Sequence, residues 1–208
     1  MTNVKITELS AITAPVITDV VPIVSDPAGT PVTKKVTVAN LLNTRRLFSI
    51  VPAGDFALTA GASAQAALPT TGDVFTLEGT TTYRFEGTYY ITKSGTTCTT
   101  ALGFALAGGA SITSILYTAL CQNIAKNTTG STHGSAWIDT VSATVVNATA
   151  TTAAYIKFEG LIRMNAGGTV TPQITFSATP TTPIMLANSY IWFEKIGTSV
   201  ENTLGSVA

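Results

Sequence analysis

The chain reads as an all-β sandwich. Three observations predict it: many short apolar runs with period-two alternation, Gly and Pro turns between them, and no helix-period stretch longer than a few turns. At 208 residues, the chain can bury a sizeable core without a metal or disulfide. Eleven basic and eleven acidic residues leave no net charge, which argues against broad attraction to nucleic acid or an anionic membrane. Charged residues are 11% of the chain against roughly 25% in an average domain, so solubility rests on Thr, Ser, Asn and Gly. Between Lys93 and Lys157 the only charges are Lys126 and Asp139. A surface this poor in charge suits burial in an assembly or a Thr-rich exposed sheet.

Residues 1 to 46 differ from the rest and are read as an arm. Val20, Val21, Ile23 and Val24 form a short strand around Pro22, which marks an edge. Asp26-Pro27-Ala28-Gly29 supplies turn chemistry, and Val32 to Val36 return to make a hairpin. Thr37 can cap a helical turn over Val38 to Leu42. A lone hairpin is marginal in water, so this arm must dock on something. Arg45-Arg46 ends it and, with Lys5, Lys34 and Lys35, makes it locally basic: either a solvated hinge or a contact for an acidic patch.

Residues 47 to 208 are read as one β domain of eight to ten strands. Val74 to Leu77 is short. In Tyr83 to Ile91, residues Tyr83, Phe85, Gly87, Tyr89 and Ile91 alternate inward. Thr97 to Leu106 puts Cys98, Leu102, Phe104 and Leu106 on one side, and after Gly108-Gly109 the residues Ile112, Leu116 and Leu120 are expected to do the same. Asn127 to Gly134 is a loop by composition. Val141 to Val146, Ala153 to Asn165, Thr169 to Phe176 and Ser189 to Ile196 complete the set, with Asn165-Ala166-Gly167-Gly168 closing a hairpin. The Ala-rich piece Ala57 to Leu68 is either helical or two Gly-bounded loops.

Two strands carry the strongest pattern. In Ala153 to Asn165, residues Ala154, Ile156, Phe158, Gly160, Ile162 and Met164 share one face, and Tyr155, Lys157, Glu159, Leu161 and Arg163 the other. In Ser189 to Ile196, Ile191 and Phe193 face one way while Tyr190, Trp192 and Ile196 surround Glu194 on the other. A strand with one wet face does not need a second apolar face, so Tyr190, Trp192 and Ile196 are expected to form an oligomer interface.

Nothing in the sequence carries chemistry, and the expectation is of no enzyme, no cofactor and no metal site. The single histidine, His133, sits in a Gly/Thr segment without zinc-type spacing, and no G-x-S-x-G elbow or phosphate loop occurs. Glu78, Glu86, Asp139, Glu159 and Glu194 mostly lie near a basic residue such as Arg84, Lys157 or Lys195, which favours cross-strand ion pairs over paired catalytic carboxylates. A carbohydrate-binding or hydrolytic module would need a groove holding Trp137, Tyr117 or Tyr89 beside an unpaired carboxylate. Cys98 and Cys121 are expected to be two buried thiols. The N-terminal MTNVKITELS lacks a continuous apolar stretch, so synthesis in the cytoplasm is expected, and no membrane partner.

The segment ITELSAITAPVITDVVPIVSDPAGTPVTKKVTVANLL, Ile6 to Leu42, resembles an N-terminal piece of tailed-bacteriophage virion proteins, in which I-S/T-E-L-P/S, D-x-V/L-P-V/I-V and T-K-K-V-T-V-x-D/N-L-L precede a variable outer domain. Here Ser10 replaces the common Pro and Asn40 the common Asp. The C-terminal string YIKFEGLIRMNAGGTVTPQITFSA with NSYIWFEKIG is similar to the last strands of tumour-necrosis-factor-like or C1q-like jelly rolls in phage fibre and decoration proteins. The resemblance implies a jelly-roll β-sandwich with a short N-terminal arm, a homotrimer with Tyr190 to Ile196 near its axis, and an arm that attaches to the particle. Val20, Val21, Ile23, Lys34, Lys35, Leu41, Leu42, Arg45 and Arg46 are the attachment candidates. The expected role is capsid decoration, as a cement or head-fibre protein on the outer surface of the virion. Its partners would be sister copies, the major capsid protein or another virion protein, with no nucleic acid and with a host surface glycan as a further candidate. The alternative is a tail-fibre or baseplate receptor-binding protein.

Overall fold

The structure, a computed structural model, describes Val16 and residues 19–25, 32–38, 46–50, 54–69, 73–123 and 133–199. The chain divides into two compact units, Met1–Arg45 and Arg46–Ala208. In the first, β1 (Val20–Ser25) and β2 (Val32–Thr37) pair antiparallel, with Val20 opposite Thr37 and Ser25 opposite Val32. A two-stranded ladder leaves β1 one side without a partner strand, and this accommodates Pro22, which cannot donate. Asp19 closes the open end: its carboxylate accepts from the Val16 amide at 2.8 Å and its carbonyl from the Val38 amide at 2.8 Å. The expected turn at Asp26 to Gly29 and the helical turn beyond Val38 lie outside the described residues.

The second unit holds thirteen strands among the described residues: β3 (Arg46–Ile50), β4 (Phe56–Ala57), β5 (Gln65–Ala66), β6 (Phe75–Leu77), β7 (Thr81–Thr92), β8 (Cys98–Ala107), β9 (Ser111–Gln122), β10 (His133–Ile138), β11 (Thr144–Thr151), β12 (Ala153–Ala166), β13 (Gly168–Phe176), β14 (Ile184–Met185) and β15 (Tyr190–Thr198). One sheet runs β10-β9-β12-β7, after which β15 and then β3 line one stretch of β7, and β14 and then β4 the other. The second sheet runs β11-β8-β13, with β5 and β6 sharing the far side of β13. Every pair is antiparallel. The pairing is nested: β3 with β15, β5 and β6 with β13, β7 with β12, β8 with β11. First strand on last and second on second-last is the wrapping of a jelly roll, so the expected all-β, jelly-roll-like sandwich is the fold. The hairpin β9–β10 is inserted between the innermost pair and widens the first sheet beyond β12.

Aromatic packing across glycine sets the register of that sheet. Tyr83, Phe85, Tyr89 and Ile91 of β7 and Ala154, Ile156, Phe158, Ile162 and Met164 of β12 are buried on the face the alternation predicts. Gly160 lies opposite both Phe85 and Tyr117, and the two rings lean toward each other over it, 5.6 Å apart. Gly87 lies opposite Phe158, whose ring occupies the space a Cβ would need. Phe104 reaches from the second sheet to within 5.3 Å of Phe85 and 5.8 Å of Tyr117, and Phe75 to within 4.8 Å of Phe193. These edge-on and tilted contacts tie the two layers together.

Four expectations are corrected. Leu116 and Leu120 do not face inward; Ile115, Tyr117, Ala119 and Cys121 do. Both sets are apolar, and the choice is made by β12, whose inward Ile162, Gly160, Phe158 and Ile156 lie opposite them. The segment at Gly167-Gly168 is no hairpin turn, because β12 and β13 belong to different sheets; a Cβ on Gly167 would meet the Gly79 amide nitrogen at 2.8 Å, so close backbone approach demands that glycine. His133 and Gly134 begin β10, opposite Gln122 and Cys121, and are not loop. The strand placed at Val141 to Val146 starts later, at Thr144, and Val141 instead accepts the Phe104 amide through its carbonyl at 2.8 Å. The Ala57 to Leu68 stretch resolves into loops flanking the two-residue strands β4 and β5, without helix. Pro172 sits inside a central strand, and β6 pairs with Gly168 to Val170 while β5 pairs with Gln173 and Ile174, so its missing donor falls in the gap between them.

Cys98 and Cys121 are buried as thiols in opposite sheets, as expected. Beside them is a buried lysine. Lys93 donates to the Cys98 carbonyl at 2.6 Å and the Thr100 hydroxyl at 3.1 Å, with the Phe176 ring 5.3 Å away. Burial holds its pKa below the ordinary value.

The core phenols make the fold sensitive to alkali. Tyr89 and Tyr117 are buried and their hydroxyls have no hydrogen-bond partner among the described residues. Burial pushes both far above the ordinary phenol value of 10.0. The unfolded chain ionises first, so it binds fewer protons than the fold, and stability falls as pH rises above about 10, by about 1.4 kcal/mol per pH unit for each phenol. Phenolate absorbance at 295 nm from these two residues is expected to appear only together with loss of the β-sheet circular dichroism, and Tyr117→Phe to move the alkaline midpoint upward. Ionisation of both while the sheet signal is intact would contradict this.

Candidate assembly surfaces

Arg84, Glu86 and Glu159 share the outer face of the first sheet. Arg84 on β7 lies 4.0 Å from Glu86 and 3.8 Å from Glu159 on β12. Lys195 holds Glu78 at 2.5 Å. Of the acidic residues singled out in the sequence, Glu159 makes the expected kind of cross-strand pair, whereas Glu86 pairs along its own strand and Glu78 lies between β6 and β7. Such exposed pairs contribute little stability, about 0–1 kcal/mol each, but they align side chains across strands. Among the described residues no three His, Cys, Asp or Glu cluster as metal ligands, and no helix is long and apolar enough to cross a membrane.

Tyr190 and Trp192 are half-buried on this outer face, while Ile191 and Phe193 are core. Ile196 is half-buried too, but lies in the register shift between Lys195 and Gly197, where the alternation that would put it beside them breaks. Antiparallel pairing with β7 sets Tyr190 opposite Thr88 and Trp192 opposite Glu86. The Tyr190 hydroxyl donates to Glu86 at 3.2 Å, and the Arg84 guanidinium lies 5.7 Å from the Trp192 ring centre, a cation–π arrangement. Tyr190 and Trp192 therefore stand together on β15, bordered by Arg84 and Glu86.

In the first unit Val20, Val21, Lys34 and Lys35 are exposed on the hairpin. Ile23 lies on β1 opposite Lys34. Leu41, Leu42 and Arg45 lie outside the described residues. Arg46 falls in the other unit, as the first residue of β3, opposite Glu194 of β15.

The groove that a carbohydrate module would need is not assembled from the residues named for it. Tyr89 and Tyr117 are core side chains, and Trp137 stands alone of the three on the surface, on the flat outer face of β10. Sequence reasoning missed the exposure of Leu116 and Leu120 beside it, while Leu161 lies on the outward face its alternation predicts. The one signal available was the two-sided apolar pattern of β9, which is ambiguous until its neighbour is known.

The fold and these surfaces define an all-β, jelly-roll-like sandwich with a separate small hairpin unit. No family model and no curated protein matches this chain. Two solved structures show a faint likeness: that of the Gx strain of infectious bursal disease virus, at 9% identity and a TM-score of 0.15, covers 85% of this chain and 45% of that one. That of the Gt strain, at 11% identity and the same TM-score of 0.15, covers 88% and 48%. The chain spans about half the length of these chains, and a likeness at that TM-score carries no argument for its fold or role.

Proposed function

We propose that this chain is a structural protein of a bacteriophage virion: a homotrimeric capsid decoration protein of cement or head-fibre type, held on the outer capsid surface by its N-terminal arm. The observation that carries the reading is the hairpin β1–β2, which stands as its own compact unit, exposes Val20, Val21, Lys34 and Lys35, and coincides with the segment that resembles phage attachment arms. A two-stranded unit of this size is marginal alone, so a docking partner is its natural complement. Tyr190, Trp192 and Ile196 supply the contact between copies. The tail-fibre or baseplate reading would be favoured by aromatics in loops, whereas Trp137 lies within a strand.

Deleting residues 1–45 is expected to leave a folded β domain that no longer binds phage particles; a truncated chain that still occupies particles fully would overturn the attachment role. Trp192→Ala is expected to break the β15 contact and cut the number of chains per assembly threefold, because interface energy concentrates in central aromatics. Light scattering of the wild type as a monomer at micromolar concentration would overturn the trimer while leaving the attachment test intact.

A further inference from the structure

The inserted hairpin carries a patch that the trimer contact does not use. Trp137 is 78% exposed, Leu120 56%, Leu116 48% and Leu161 41%. They are neighbours: Trp137 lies opposite Thr118, midway between Leu116 and Leu120 on β9, and Leu116 lies opposite Leu161 on β12. Four such side chains expose on the order of a few hundred Å² of apolar surface, the size at which a patch marks a contact site. Among the described residues β10 is also the last strand of its sheet. Its sequence, HGSAWI, contains neither the Lys nor the Pro that commonly guards an edge.

The chemistry of the patch selects its occupant. Neither β9 nor β10 contains an acidic residue, a lysine or an arginine, so nothing there seeks a strongly charged partner. A sugar ring stacked on Trp137 would find the Thr118 hydroxyl, but the carboxylate in line beyond it, Glu159, is already held by Arg84 at 3.8 Å. The border along β12 alternates Lys157, Glu159 and Arg163. A border carrying both signs can oppose itself across a two-fold axis with unlike charges meeting, and a chain of zero net charge approaches its own copy without net repulsion. We infer that the outer face of the β9–β10 hairpin, with Leu161, docks on the same face of a second copy of this chain. The contact is isologous and separate from the β15 contact proposed above.

The test compares the sedimentation masses of wild type, Leu120→Lys and Trp137→Ser at micromolar concentration. Both side chains are exposed, so circular dichroism and thermal melting should show all three folded. The wild type is expected to have twice the mass of either variant. The ratio tests this contact alone: six chains against three if the β15 trimer forms, two against one if it does not. Equal masses for all three proteins overturn the proposal. If, with equal masses, the variants lose particle binding, the occupant is another virion protein; if an added oligosaccharide quenches Trp137, it is a glycan.

Discussion

Phe85→Ala is expected to destabilise the β domain by about 3–5 kcal/mol, the usual cost of emptying a fully buried aromatic site. Phe85 is wholly buried and its ring meets those of Phe104, Tyr117, Phe158 and Phe193 at 5.3, 5.6, 6.4 and 5.6 Å. It is therefore the point at which β7, β8, β9, β12 and β15 share one contact. The midpoint of thermal unfolding should fall by roughly 10 °C or more in a domain of this size. Phe85→Leu, which keeps most of the volume, should cost less than half as much. A loss of under about 1 kcal/mol for the alanine variant would mean that the aromatic cluster is not the centre of the sandwich.

Gly160→Ala is the second large effect. A Cβ there would meet the Leu116 carbonyl oxygen at 2.2 Å and the Tyr117 Cβ and Cα at 2.3 and 2.6 Å. Two are main-chain atoms of the neighbouring strand and the third is the Cβ fixed directly to it, so none can swing aside as a side-chain tip can. The β12–β9 ladder must spread, with a cost of about 1–3 kcal/mol or more. Gly61→Ala is the control, since nothing lies within 4 Å of its added carbon, and it should change stability by no more than about 0.5 kcal/mol. Equal midpoints of urea unfolding for the two variants would refute this account.

The legible parts of this fold are those where one strand's own sequence decides its faces. β7 and β12 alternate large apolar with polar or small residues, and each alternation has one solution. The hairpin β1–β2 was legible because Pro27 and Gly29 punctuate two short apolar runs. β9 was not, because Ile112, Leu116 and Leu120 compete with Ile115, Tyr117 and Ala119, and only pairing with β12 decides between them. Gly167-Gly168 misled for a related reason: the same turn chemistry serves a hairpin and a crossing between layers. The proposed contact surfaces divide in the same way. Tyr190 and Trp192 announced themselves by spoiling an otherwise one-sided strand, but the patch around Trp137 exists only because β9, with β10 on one side and β12 on the other, turns its leucines outward.

The nested pairing also governs when the domain can come into being. β3, β5, β6 and β7 all await partners that are synthesised later, from β12 onward, and contacts of such long sequence separation make folding slow. Among the described strands of the domain, β9 and β10 are the pair joined directly in sequence order. Within the domain a nascent chain emerging from the ribosome therefore zips β9–β10 first, gains partners for β8, β7, β6 and β5 as β11, β12 and β13 emerge, and leaves β3 waiting until β15 has been translated.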